Sequence, residues 1–565
     1  MTAHTVLYIR SIRGIIKLFL LIVIQNVCFV NFGYAQTDEL QQIMQARIVQ
    51  LQDTNSLYID GEKIAATRLI TELYTKNNYS LAWQNANKQD ELINIISHID
   101  SEGLNLDDYL LHNLRKYREQ DAQLTSSEQV DFDILLTESL VRLAYHLRFG
   151  KVNPESLEPN WNMDRGMGNE DPFNNIQAII NSDSIQAYID QAIPRQPFYD
   201  RYKKALAYYR KILEEGGWPT VPSGPALKPG MNDPGIKLLK QRLQIEGYLQ
   251  EPLSDATDYF DVSLEDAVKD FQQRHGLDTD GVVGKQTLEA MNVSVEDRID
   301  QIRVNLERGR WVLKDVQGEF LIVNIAGFKA YLVRDNNLIW TSRVIVGRTY
   351  RKTPVFKSAI NYMIFNPTWT VPPGILRNDV LPKARKDPAY ITDQRFEVLD
   401  REGKKVDPGN LDWSAFTVKN FPYTLRQEAG PDNALGRIKF VFPNSHFVYL
   451  HDTPHKELFD NPERTFSSGC IRVENPVQLA EILLNDREKW SRQKIEEAIA
   501  TNKTQTIHLQ KPVTIMLLYW TVVIEPDGIV NFRKDIYDRD NKVLKALNGE
   551  FSFSLPSGLP ERYYN

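Results

Sequence analysis

The spacing of apolar residues changes near residue 318, and this change sets what the chain can fold into. Ahead of it, apolar side chains recur at helical intervals in Leu40-Ile43-Ile48-Leu51, in Leu92-Ile93-Ile96-Ile99 and in Leu135-Leu136-Leu140-Leu143-Ala144. Beyond it, stretches 320–325, 330–333 and 341–347 alternate as strands do, and Asp335-Asn336-Asn337 between two of them is a hairpin turn signal. Both patterns within 565 residues exceed one ordinary core and call for roughly three or four domains. The expected fold class is therefore multidomain α+β.

Breaks in the pattern place the boundaries. Residues 36–218 read as a helical domain, and 219–229, with Pro219, Pro222, Gly224 and Pro225, as a linker. A small three-helix module follows at 230–293, its helices predicted over 235–243, 264–275 and 285–291, with a glycine-containing turn through Asp280-Gly281. Residues 299–312 form a helical connector, and 318–545 a β-rich domain. Within that domain, 370–425 is an insertion rich in Pro, Asp, Lys and Gly that a compact sheet does not need. Residues 447–450 read as a strand, 476–500 as one amphipathic helix, and 514–524 and 529–532 as strands joined at Pro526-Asp527-Gly528. Residues 546–565 are read as a C-terminal tail.

The N-terminus is basic up to Lys17, apolar to Val30, and reaches Gly33-Tyr34-Ala35, the layout of a secretory signal over 1–35. Export to the periplasm or cell envelope is expected, with membrane anchoring if the signal is not cleaved, since 18–36 is an uncharged run of 19 residues. Cys28 belongs to that apolar run. The formal charge is −7, and without Arg10, Arg13 and Lys17 it is −7 less three cations, or −10. So acidic a body has no electrostatic footprint for nucleic acid.

Past the signal a single cysteine remains, Cys470, in Ser467-Ser468-Gly469-Cys470-Ile471-Arg472, with His451 nineteen positions upstream. A free thiol ionises near pH 8.5, so a nucleophilic cysteine needs an imidazole or a cation beside it, and His451 is the candidate base. Small residues before the cysteine let backbone N–H groups approach a bound carbonyl, which makes Ser468, Gly469 and Cys470 candidate oxyanion donors. Arg472 is placed to pair with a substrate carboxylate or to form a structural salt bridge. On spacing alone, a small buried cysteine and a loop histidine remain an equal alternative. His446 and His455 lie near His451, but no second thiol or ligand spacing accompanies them, and no metal site or cofactor is expected.

The segments His451-Asp452-Thr453-Pro454 and Phe466-Ser467-Ser468-Gly469-Cys470-Ile471-Arg472-Val473 resemble the active-site signature of L,D-transpeptidases with a YkuD-type catalytic domain. The match extends to Asn366-Pro367-Thr368-Trp369-Thr370-Val371-Pro372 and to Asn433-Ala434-Leu435-Gly436-Arg437-Ile438-Lys439-Phe440, in the manner of the large YcbB-like branch. Ser468 and Arg472 stand where the general family has histidine and asparagine, departures shared with that branch. Phe149-Gly150-Lys151-Val152-Asn153-Pro154 is similar to its helical scaffold, and 230–293 to a peptidoglycan-binding module.

The resemblance implies a transferase that joins peptidoglycan stem peptides by 3-3 cross-links through a cysteine thioester, releasing D-alanine. It implies a role in cell-wall biogenesis and cell shape, and sensitivity to carbapenems. It assigns the backbone carbonyl of Asp452 as the third catalytic member, Trp369 and Tyr449 as pocket walls, and 370–425 as a cap. Expected partners are peptidoglycan stem peptides and glycan, with a cell-wall synthase or carboxypeptidase as a protein partner. Two alternatives stay open: an L,D-carboxypeptidase that trims tetrapeptides, and a non-catalytic wall-binding scaffold.

Overall fold

The computed structural model describes residues 38–163, 172–250, 257–312, 318–417 and 419–550. The segment expected to be a secretory signal, with Cys28, and residues 551–565 of the expected tail lie outside the described residues. The chain divides into two units, one of 1–153, 165–196 and 546–565, the other of 154–164 and 197–545.

The first unit is built around helix α1 (Ser126–Phe149), which starts on a reciprocal cap between Thr125 and Glu128. Leu135, Leu136, Leu140 and Leu143 are fully buried in it, as their helical spacing predicts. Two carboxylates share that interior. Asp133 accepts the N–H groups of Ala82 and Trp83 and the Tyr74 hydroxyl, and Glu138 accepts those of Ala65 and Ala66 and pairs with Arg142. Each buried charge thus holds a loop by its backbone, which is how such groups are tolerated inside.

In the second unit α2 (Pro197–Glu214) packs along α6 (Val295–Val312), so the helical stretch 36–218 divides near residue 197. Between them α3 (Gly235–Ile245), α4 (Val262–His275) and α5 (Lys285–Met291) enclose Leu239, Leu243, Leu264, Phe271 and Met291. Val221 and Leu227 are buried in the same core, and Leu227 forms a bridge with Val283. The proline-rich segment 219–229 is therefore attached to the module and does not act as a free spacer. Gly281 adopts φ 73°, and the Gln272 side chain bonds its N–H and the Val282 carbonyl, fixing the turn expected there.

The β-rich domain is a closed barrel of eight strands: β1 (Glu319–Asn324), β2 (Lys329–Arg334), β3 (Asn337–Ile345), β4 (Phe356–Phe365), β9 (Ile438–Val441), β10 (Leu450–His451), β11 (Ile471–Val473) and β12 (Gln505–Leu518). Around the barrel the order is β9-β10-β11-β3-β2-β1-β12-β4, antiparallel except for β10 with β11 and β12 with β1. Asp335 and Asn336 both take positive φ in the β2–β3 turn, as that turn signal requires. The insertion carries its own sheet, β5 (Trp369–Thr370), β6 (Phe396–Leu399), β7 (Lys405–Val406) and β8 (Thr424–Gln427), ordered β5-β8-β6-β7. Val380, Leu381, Ala384, Ile391 and Trp413 form a core beneath it. The chain is multidomain α+β, with a helical scaffold, a three-helix module and a β-rich domain bearing an insertion.

Three elements differ from their expectation. Only Leu450 and His451 of 447–451 form strand, because the Asn444 side chain bonds the N–H groups of His446 and Val448 and turns the backbone through Phe447 at φ 54°. The helix expected over 476–500 is two, α7 (Pro476–Leu484) and α8 (Arg492–Ala500), because Asn485 caps the first in a left-handed conformation and Ser491 starts the second. The strand expected over 514–524 breaks at 519–521, where Asn324 and Asn305 side chains take the N–H groups of Trp520 and Thr521. The chain then resumes as β13 (Val522–Ile524), paired with β14 (Val530–Phe532).

Candidate active site

Side chains alternate across a sheet, so the ladders β9–β10–β11 sort their residues onto two faces. Ile438, Phe440, Leu450, Ile471 and Val473 point inward and belong to the barrel core. The intervening residues point outward. Lys439 pairs with His451 across β9–β10, and His451 pairs with Arg472 across the parallel β10–β11. Tyr449 and Cys470, two residues before these partners, join the same outer face, and the Ile471 N–H donates to the Tyr449 carbonyl to close the ladder at its open end. The structure thus brings together Cys470, His451, Tyr449 and Arg472, and adds Lys439.

His451 is buried, and its Nδ1 lies 2.5 Å from the Asp452 carbonyl oxygen. A carbonyl accepts only, so a neutral ring with its proton on Nδ1 satisfies this contact and leaves Nε2 as the basic nitrogen. Burial first, then the positive charges of Arg472 and Lys439, push His451 down to about 3, against the pull of the Asp452 and Leu435 carbonyls. The ring is therefore neutral at physiological pH. The Asp452 carboxylate is engaged elsewhere, accepting the Arg437 N–H and pairing with Lys456. Its carbonyl, not its carboxylate, faces the imidazole.

Cys470 is partly exposed, and its Sγ donates to the Phe447 carbonyl at 3.8 Å. Burial pushes the thiol up, while the Tyr449 backbone N–H, then Lys439 and Arg472, act to lower it. Phe447 holds its left-handed backbone with an exposed side chain, a strained placement for a bulky residue that aims its carbonyl at the sulfur. Arg472 is held down mainly by burial, and its Nε has no hydrogen-bond partner among the described residues.

The backbone before the cysteine is clamped by segment 346–353. Ser467 bridges to Gly347 in parallel, its N–H donating to the Val346 carbonyl and its own carbonyl accepting from Arg348. Thr353 Oγ1 accepts the Gly347 N–H and donates to the Gly469 carbonyl, and the Tyr537 hydroxyl donates to the Gly347 carbonyl. Gly469 (φ 113°) donates its N–H to Ser467 Oγ at 3.0 Å, and that hydroxyl donates to the Cys470 carbonyl. Among the three expected oxyanion donors, Gly469 is thus already engaged, and the N–H groups of Ser468 and Cys470 are the ones without an acceptor among the described residues. The physical reason is the serine two residues before Gly469, whose hydroxyl closes a tight local turn.

Trp369 has a packing role as well. It lies in the insertion's sheet, partly buried against that core, with its ring 6.0 Å from Phe396, so it supports the insertion. His446 packs on Phe356, and exposed His455 lies 3.3 Å from Glu457. Two residues escaped the sequence reading. Arg351 bonds both Ser468 Oγ, at 2.7 Å, and Asp379 of the insertion, at 2.6 Å, a long-range bridge with no local signal. Lys439 did leave a signal, a charge between the apolar neighbours Ile438 and Phe440 of a barrel strand.

An L,D-transpeptidase catalytic domain model matches residues 318–515, the barrel that carries these groups. This region is thus similar to L,D-transpeptidase catalytic domains. A scaffold domain model matches 68–206, and a model described as "Putative peptidoglycan binding domain" matches 232–291. A Haemophilus influenzae protein named "Putative L,D-transpeptidase" is 40% identical over 264 residues, covering 46% of this chain and 53% of that protein. The chain thus spans about half the length of the curated relative it matches. Crystal structures of L,D-transpeptidases from Xylanimonas cellulosilytica and Stackebrandtia nassauensis are each 14% identical over 53% of this chain. They are covered over 99% and 96% of their own lengths, with TM-scores of 0.18 and 0.21. No helix among the described residues is long and apolar enough to cross a membrane.

Proposed function

We propose that this chain is a peptidoglycan L,D-transpeptidase that uses Cys470 as nucleophile and His451 as base. The observation that supports this most is the contact between His451 Nδ1 and the Asp452 carbonyl oxygen. With Nδ1–H committed to the Asp452 carbonyl, Nε2 is the acceptor on the outer face that it shares with Cys470.

In this reading the thiol proton passes to Nε2 as sulfur attacks the carbonyl joining the third stem residue to the terminal D-alanine. The carbonyl oxygen becomes an oxyanion held by the Ser468 and Cys470 N–H groups. Collapse breaks the C–N bond, His451 returns the proton to nitrogen, and D-alanine leaves a thioester. The side-chain amine of a neighbouring stem then attacks that thioester, restoring the thiol and giving a 3-3 cross-link. The amide's energy is retained in the thioester, so this sequence consumes no nucleotide. Arg472 receives a stem carboxylate and Tyr449 walls the pocket, while the module at 230–293 holds the wall. Such a substrate places the working protein outside the cytoplasm.

Intact-protein mass spectrometry with a carbapenem tests the reading. One stoichiometric adduct on the wild type and none on Cys470→Ala supports it, and no adduct on folded wild type overturns it. With tetrapeptide muropeptides, dimers mark transfer, whereas tripeptide alone marks an L,D-carboxypeptidase.

A further inference from the structure

A lysine in a barrel strand ordinarily has a carboxylate partner or reaches water, and Lys439 does neither fully. It is half-buried on β9, opposite His451, and its Nζ sits 3.5 Å from the centroid of the Tyr449 ring. Among the described residues no carboxylate lies within ion-pair distance of it. Burial pushes it below the ordinary lysine range, and the one group that pulls it back is Cys470. The relation is mutual, for Lys439 acts on the thiol ahead of Arg472. His451 cannot supply this charge, because it stays neutral in the same surroundings.

We propose that Lys439 supplies the positive charge against which the Cys470 sulfur ionises, with the Tyr449 ring holding the ammonium on the nucleophile's face by a cation–π contact. This rests on the transpeptidase reading for its purpose, but not for its test. The attacking pair is then a neutral imidazole that takes the proton and a lysine that stabilises the sulfur anion left behind. The other groups acting on the sulfur are the Tyr449 backbone N–H and Arg472, and His451 lies beside Lys439 and Arg472 in the adjoining ladders. Behind them Arg348 and Glu457 act on Arg472, and Tyr362 acts on Tyr449.

The test is the pH profile of Cys470 alkylation by iodoacetamide, a neutral probe, on the full chain. In this reaction the thiolate forms a C–S bond and iodide leaves. K439M is expected to move the midpoint up by about one pH unit, which lowers the alkylation rate about tenfold below the midpoint, while K439R stays within about twofold of wild type. K439Q repeats the measurement should K439M not fold, and Y449L separates the charge from its π support. An unchanged midpoint in K439M or K439Q overturns the proposal, as does K439R behaving like K439M. Failure of the two readings is distinguishable. A wild type that alkylates with a Lys439-dependent midpoint but takes no carbapenem refutes the transpeptidase alone, and carbapenem acylation without that dependence refutes the role of Lys439 alone.

Discussion

At His451 the surrounding fold changes what a histidine ordinarily does. A ring held down to about 3 by burial and two cations does not become imidazolium near neutrality, so carbapenem acylation should not decline between pH 6.5 and 5 through His451. Stopped-flow acylation across that range checks this; an acid limb that H451Q abolishes would contradict it. The same depression links to stability. An unfolded histidine binds its proton near pH 6.5 and the folded one only near 3, so the stability from neutral His451 is present above pH 6.5 and is lost as pH falls toward 3. Denaturant titrations of wild type and H451Q should converge with acid over that window. In the sequence, the candidate base and nucleophile were legible through the motifs around His451 and Cys470, since spacing alone left a structural cysteine and histidine equally open. The engagement of Gly469 was not, because a serine hydroxyl two residues away can turn back or face solvent, and only packing against 346–353 selects between them.

Between elements, the 346–353 segment joins the barrel, the cysteine loop and the insertion. Thr353 holds both Gly347 and Gly469 through one hydroxyl, so Thr353→Val leaves two buried backbone groups unpaired and should cost about 1–3 kcal/mol, read from urea melts. At Gly347 an added Cβ would overlap the Arg351 carbonyl oxygen and lie 3.1 Å from Gly469 Cα. Gly347→Ala should therefore displace the cysteine loop and slow carbapenem acylation by on the order of a hundredfold, measured as the second-order rate. Arg351→Met removes the bridge from Ser468 to Asp379 and should slow the same reaction by roughly tenfold or more with the melt unchanged. Helix and strand periods were visible for most of these elements. What the periods could not show was the breaks at 447–449, 485–491 and 519–521, where asparagine side chains or a left-handed cap override apolar spacing.

Across the whole molecule, the chain divides into two compact units, and a lesion deep in the first is expected to leave the chemistry at Cys470 unchanged. Asp133→Asn disturbs the carboxylate that holds Ala82, Trp83 and Tyr74, and should cost about 1–3 kcal/mol in the first unit. Carbapenem acylation of Cys470 in that variant should match wild type below its melting range; a parallel loss of acylation would show that the units act as one. The order of residues was enough for the class, multidomain α+β, and for the resemblance carried by the motifs around Cys470, because periodicity and short motifs are local properties of the chain. Folding settled the rest: which outward-facing residues share the nucleophile's face, which backbone N–H groups remain open, and where Lys439 puts its charge. Those outcomes depend on strand register and burial, which arise only when β9, β10 and β11 are brought side by side in the barrel.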